Sequence, residues 1–224
     1  MNRKLLSVGL GLAMLAGVQT AGAQGYRMEI GAMAGGSFYM GDANQTLFRQ
    51  TRPAFDALCR YNLNKRFTLK ADLGVAGIAG TTVGNTDEYP GGTELDFART
   101  LADGSLQLEF NFYEFGAPDY TPGASRLSPY LTVGLGGLVW EDDGLKGTAL
   151  VPFGLGIKYK LPNRFNIGLE WTGNLSFSDR LDAPELDDPW IAPSSWNKNK
   201  DGFSALRLYV SYDIWFIGSN CYKE

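Results

Sequence analysis

The stretch FSALRLYVSYDIWF, Phe203 to Phe216, alternates strictly from its fourth residue onward. Leu206, Leu208, Val210, Tyr212, Ile214 and Phe216 fall on one parity, and Arg207, Tyr209, Ser211, Asp213 and Trp215 on the other. Successive side chains of a strand point to opposite faces, so this segment is a strand with one apolar face and one mixed, polar face. The same period-two pattern recurs in Tyr26–Ala34, Phe55–Leu63, Phe67–Val75, Leu106–Phe112, Tyr130–Val139, Val151–Leu161 and Phe165–Phe177. About eight strands of transmembrane length result.

Each apolar face must be covered. In a soluble sandwich a second sheet covers it; in an outer-membrane barrel lipid does, and the polar face lines a small lumen. The strands run near the ~9–11 residues that cross a bilayer, beyond the usual ~5–6. Aromatics gather at strand ends (Tyr61, Phe67, Phe112, Tyr159, Phe165, Tyr212, Phe216), as an interfacial girdle requires. The expected fold is therefore all-β: an eight-stranded antiparallel transmembrane β-barrel with a plugged, charged lumen. A periplasmic sandwich or soluble barrel is the alternative.

The front of the chain suits that destination. Arg3 and Lys4 precede the apolar run Leu5–Val18, and Ala21-Gly22-Ala23 has the small-residue form of a cleavage site. This reads as a secretory signal peptide over residues 1–23, followed by a barrel over 24–216 and a periplasmic tail over 217–224. The mean hydropathy of −0.16 would suggest a soluble protein, but that measure misses barrels, whose apolar residues occupy alternate positions only. The net charge is −4 and no basic stripe is present, so no nucleic-acid partner is expected. The 224 residues contain no histidine, which removes Ser-His-Asp and Cys-His catalysis and histidine-ligated zinc. No catalytic residue, cofactor or metal is expected.

The polar faces carry both signs of charge. Arg27, Arg60, Lys70, Lys158, Lys160 and Arg207 are set against Glu29, Asp56, Asp72, Glu109, Glu170 and Asp213. A lumen of eight strands is just wide enough for its own side chains to fill, so these groups are expected to form buried ion pairs. An ion or proton path is the functional alternative. Gly31, Gly74, Gly134, Gly136, Gly154, Gly156 and Gly168 share the inward parity and make room for long charged chains.

An even barrel behind a cleaved leader leaves both termini in the periplasm of a Gram-negative bacterium. Segments near 41–52, 81–102, 142–149 and 179–201 would then face outward; they are acidic, with Asp87, Glu88, Glu94, Asp96, Glu141, Asp142, Asp143, Asp182, Glu185, Asp187 and Asp188. Segments near 62–66, 116–128 and 161–164 would face the periplasm and offer Lys65, Arg66, Tyr120, Arg126 and Arg164, with Cys221, Tyr222 and Lys223 in the tail. These residues are the candidate partner-binding face. The glycines at 134, 136, 137, 154 and 156 lie inside strands and form no dinucleotide fingerprint. Asp142-Asp143-Gly144 lacks calcium-loop spacing. Trp190 and Trp196 suit a membrane surface or a contact site equally.

Several stretches together resemble a known family: EIGAMAGGSFYMGD, RPAFDALCRYNLNKRFTLKADLG, LEFNFYEFG, LSPYLTVGLG, PFGLGIKYKLPNRFNIGLEWTGNLSFSDRLD and the terminal NCY. They are similar to the PorG family of outer-membrane barrels, components of the type IX secretion system. The resemblance implies a small non-enzymatic barrel that ties a periplasmic ring of PorK-like and PorN-like proteins to the outer membrane. It supplies no catalytic motif. A barrel for envelope integrity or adhesion through the acidic loops is the second reading. A barrel enzyme is the third, disfavoured by the missing histidine.

Two cysteines remain, Cys59 and Cys221. One strand separates theirs, which puts their backbones ~10 Å apart, while a disulfide needs Cα atoms within ~7 Å. Cys59 is expected reduced on the lipid face. Cys221 is expected in the tail, either free or in an intermolecular disulfide to a ring subunit.

Overall fold

The computed structural model describes residues 26–40, 50–81, 96–117, 123–141, 144–177 and 202–216. The expected leader and tail, Tyr120, and most of the acidic loop residues lie outside that set. The described chain forms eight strands: β1 (Tyr26–Met40), β2 (Arg52–Asn62), β3 (Phe67–Thr81), β4 (Asp96–Asn111), β5 (Leu127–Glu141), β6 (Leu145–Lys160), β7 (Phe165–Ser176) and β8 (Gly202–Phe216). Each pairs antiparallel with the next, and β8 returns to β1, so the sheet closes with no free edge.

The alternation decides which face is which. In β8, Leu208 is 67% exposed while its neighbour Arg207 is 4% exposed. Leu73, Val133, Leu135, Phe153, Leu155 and Val210 also stand on the outer wall. Arg60, Lys70, Glu109, Glu170 and Asp213 are buried within. A water-soluble barrel would put its apolar residues inside, so the outer wall of this one is built for lipid. No helix among the described residues is long and apolar enough to span a membrane; the chain crosses with strands.

The strands are longer than the sequence pattern suggested. A strand of 15 residues, tilted as barrel strands are, rises about 38 Å, against an apolar band of about 25 Å. The surplus lies at the end away from the start of β1 and the end of β8, and there the chemistry of the faces shifts. Ala54, Ala76, Ile78, Leu101, Leu138, Trp140, Leu150 and Phe203 point inward and pack as one buried apolar cluster. The outer face opposite them carries Thr100, Glu141 and Gly147. Hence the segments near 81–102 and 142–149, expected as loops, are corrected: Asp96–Ala102 and Leu145–Ala149 are strand. Above the lipid band the outward residues meet water and the inward ones fill the core, so the apolar-out signal fades.

A second correction concerns Arg27 and Trp215. Both have the inward parity by counting, yet both are exposed. The β1–β8 register shifts on either side of Met28, and one extra residue in a strand turns every later side chain to the other face. Arg27 therefore takes no place in the lumen.

Two inward glycines are demanded by close approach. Tyr130, Gly156 and Glu170 are cross-strand neighbours on β5, β6 and β7. The Tyr130 ring lies across Gly156, where a Cβ would meet ring atoms 2.5–2.7 Å away, and its hydroxyl donates to Glu170 Oε2 at 2.7 Å. Gly168 is covered by Tyr209 in the same way. We predict that Gly156→Val lowers unfolding stability in detergent micelles by about 1–3 kcal/mol, the usual cost of overpacking. Gly137→Ala is the control. Its Cβ would meet only the Thr148 carbonyl at 3.9 Å, so a change within about 0.5 kcal/mol is expected.

Candidate functional site

Two places concentrate chemistry: the lumen, and the rim where β1 begins, β8 ends and the short turns lie. In the lumen, two carboxylates on opposite walls hold three cations. Glu109 of β4 accepts from Arg60 Nε at 2.7 Å and from Lys158 Nζ at 3.1 Å. Glu170 of β7 accepts from Lys70 Nζ at 2.6 Å and from the Tyr130 hydroxyl, with Arg60 Nη2 at 3.7 Å. Arg60 Nη1 has no hydrogen-bond partner among the described residues; the guanidinium instead lies over the Tyr209 ring, 4.2 Å from its centroid. That contact substitutes ring electrons for a missing acceptor.

Flanking tiers extend the network. Toward the termini, Lys160 Nζ meets Asp213 at 2.7 Å, and Asn166 donates to the same carboxylate at 2.9 Å. Glu29 accepts from Asn62 and Ser211, both at 3.1 Å. Toward the other end, Arg207 Nε lies 2.8 Å from Asp56, Lys70 lies 3.5 Å from Asp72, and Gln107 and Ser105 donate to Asp72. Of the charges assigned to the lumen, all but Arg27 are buried there. Five buried cations thus face six buried carboxylates among the described residues.

Both ends of this charged column are closed. The apolar cluster under Trp140 fills one. At the other, the connection after β4 folds across the mouth. Phe115 is 9% exposed, with Lys158 Nζ 4.8 Å and Lys160 Nζ 5.3 Å from its ring centroid. Its backbone N–H donates to the Lys65 carbonyl at 3.1 Å, and it forms a parallel bridge with Ser125. Phe115 and the Trp140 cluster were missed in the sequence. Phe115 sits in FNFYEFG just after the alternation stops, where parity no longer assigns a face.

The rim collects the residues proposed for partner binding. Lys65 and Arg66 lie on the β2–β3 turn, Arg126 just before β5, and Arg164 on the β6–β7 turn. The carbonyl of each accepts a backbone bond from a neighbouring strand or connection: Phe115 N–H to Lys65, Asn111 to Arg66, Lys160 to Arg126 and Asp213 to Arg164. The turns are thereby welded to the barrel. Arg164 adopts φ 70°, the left-handed conformation that lets a four-residue turn close. Lys65 is already engaged by Glu114 at 3.0 Å, so its charge is shared; Arg66 and Arg164 are exposed. Exposed aromatics surround the rim, including Phe112, Tyr113, Tyr159, Phe165 and Tyr212. Cys59 is free and half-buried on β2.

The family described as "Domain of unknown function (DUF6089)" matches residues 4–196. The chain belongs to this family. The comparison with curated proteins finds no match. Among solved structures, the DUF6089 chain is similar to the N-terminal β-barrel domain of OprF from Pseudomonas aeruginosa, at 16% identity and TM-score 0.44, covering 84% of this chain and all of that one. It is also similar to Neisserial surface protein A, at 12% identity and TM-score 0.48, covering 84% and 97%. OprG from Pseudomonas aeruginosa is similar at 12% identity and TM-score 0.46, covering 86% and 98%.

Two outcomes are expected of the lumen. Glu109→Gln leaves Arg60 and Lys158 facing each other without their anion, and should cost about 3–5 kcal/mol in urea unfolding from vesicles. Lys65→Ala, which breaks a half-exposed pair, should cost no more than about 1 kcal/mol. A comparable loss in both variants would show that the column contributes no more than a surface pair. Reconstituted in planar bilayers, the protein should give no large, stable single channels, since side chains close the lumen at both ends.

Proposed function

We propose that this DUF6089 barrel is a non-enzymatic outer-membrane anchor that holds a periplasmic ring of the type IX secretion machinery, of the PorK and PorN kind. The observation that carries this reading is the rim: Lys65, Arg66, Arg126 and Arg164 converge at one end on turns whose backbone is fixed by the barrel. A rigid basic rim favours charge-assisted contacts with an acidic partner, because little ordering is left to be lost on binding. The resemblance of the sequence to PorG-type barrels supplies the identity of that partner. In this reading the leader in residues 1–23 directs export, and both termini lie on the periplasmic side. Tyr120, Cys221, Tyr222 and Lys223 belong to the same binding face, with Cys221 proposed as the thiol that bonds to a ring subunit. Cys59, on the lipid-facing parity of β2, takes no part.

The test is the quadruple variant Lys65→Glu, Arg66→Glu, Arg126→Glu, Arg164→Glu. Single exposed pairs contribute only ~0–1 kcal/mol, so single changes should be nearly silent. The quadruple variant should still insert and migrate as a heat-modifiable barrel, but lose ring proteins on purification from detergent. Undiminished recovery of the ring from that variant would refute the rim as the contact. If the wild type itself brings down nothing stoichiometric, the envelope or adhesion reading takes precedence.

A further inference from the structure

Just below the apolar cluster the lumen holds an acid outside the ion-paired column. Asp103 lies on β4 between Leu101 and Ser105, buried residues of its own parity, so it faces inward. It is half-buried, with its Oδ1 fully enclosed. Its cross-strand neighbour on β3 is Gly74, and the neighbour of Gly74 on β2 is Asp56. Two aspartates therefore flank one glycine. With neighbouring strands ~4.7–4.9 Å apart, their Cα atoms stand roughly 10 Å apart across a residue that has no side chain. Asp56 leans over that residue: a Cβ on Gly74 would run into Asp56 Oδ1.

Donors are missing at this level. Among the described residues, neither oxygen of Asp56 accepts a hydrogen bond, and Asp103 Oδ1 accepts none. Arg207 Nε lies 2.8 Å from Asp56, yet Nε and Nη2 of Arg207 have no hydrogen-bond partner, so the contact is one of charge without alignment. The other charged groups that act on the pair are Asp72 and Lys70 of β3. Asp72 is served by Ser105 and Gln107, and Lys70 is committed to Glu170 at 2.6 Å. Met33 of β1 stands opposite Asp56, Leu138 of β5 stands opposite Asp103, and β7 offers Thr172, 3.4 Å from Arg207. None of these three carries charge. Elsewhere in the lumen, acids that face each other have donors: Glu29 accepts from Asn62 and Ser211, and Asp213 from Asn166 and Lys160. Of the described lumen carboxylates, Asp56 and Asp103 are the ones with enclosed oxygens that no donor reaches.

We propose that Asp56 and Asp103 bind one proton between them, so that this tier is a proton site in the closed interior. Arg207 balances one carboxylate. The other is an acid with no counter-ion in a sealed lumen, and such a group takes up a proton rather than stay ionised. Two carboxyl groups set against one cation ionise in sequence, and the proton belongs to the pair rather than to either residue. Once held, it gives the tier the donor that it lacks. A metal ion suits the place less well, because Arg207 already brings a full positive charge against Asp56.

The experiment is infrared spectroscopy of the barrel reconstituted in vesicles, at neutral and alkaline pH, in light and heavy water. The wild type should show the carbonyl band of a protonated carboxyl at neutral pH, shifted in heavy water and lost as the pH is raised. Asp103→Asn and, separately, Asp56→Asn should each abolish that band, since a single acid beside Arg207 needs no proton. The urea midpoint is the second reading. The folded barrel holds a proton that the unfolded chain gives up, so stability falls as the pH rises through the loss of the band. Asp103→Asn should flatten that part of the fall. Absence of the band from the wild type at neutral pH overturns the proposal, and that measurement needs no variant. A band that survives in both variants places the proton elsewhere and overturns it too. So does loss of the band on adding sodium or calcium ions at constant pH, which would make this a metal-ion site.

Discussion

Glu109 and Glu170 are the two groups on which the interior depends. They come from β4 and β7, on opposite walls, and between them they hold cations from β2, β3 and β6. The strand ladder fixes only neighbours, and around a closed barrel that alone leaves the cross-section free to flatten. Ion pairs spanning the lumen tie distant walls together. Their Coulomb attraction is partly cancelled by desolvation, which is several kcal/mol per buried ion, so the network specifies one shape more than it adds stability.

The register makes this dependence visible. Arg60 stands directly opposite Lys70, and Glu29 directly opposite Asp213. Like charges facing each other on adjacent strands are destabilising. Both pairings persist because opposite charge or hydrogen-bond donors reach them from elsewhere: Glu170 meets Lys70 and approaches Arg60, Lys160 and Asn166 meet Asp213, and Asn62 and Ser211 donate to Glu29. Local pairing alone would reject this sequence; the closed barrel makes it consistent.

Much of this was legible in the sequence, for a specific reason. Period-two alternation encodes a face for each residue without knowledge of its neighbours, so the buried positions of Arg60, Lys70, Glu109, Lys158, Glu170 and Arg207 followed from counting. Counting fails wherever the period is broken or the solvent changes. The register shift around Met28 put Arg27 and Trp215 on the outside. Above the lipid band, Leu101, Leu138 and Leu150 face inward while Thr100 and Glu141 face water, so an apolar-out rule gave loops where strands continue. Phe115 lies past the last alternating residue, and only the fold of its connection brings it over Lys158. The partners within the column could not be read either, since parity names the face and not the contact.

The two closures of the lumen differ in kind, and the difference bears on how the barrel can act. The Trp140 end is sealed by side chains of six strands packed together, and opening it would require separating the wall. The other end is sealed by one ring from one connection, held by its backbone bond to Lys65 and by its contacts with Lys158 and Lys160. Lys65 and Arg126, on either side of that connection, are also rim residues. A partner that engages them touches the segment that carries Phe115, so contact at the rim and closure of the mouth share the same few bonds. The charged column beneath Phe115 is anchored by seven strands and has no such freedom. A load applied at the rim is therefore passed to the strands through the welded turns, and the part of the interior free to respond is the mouth.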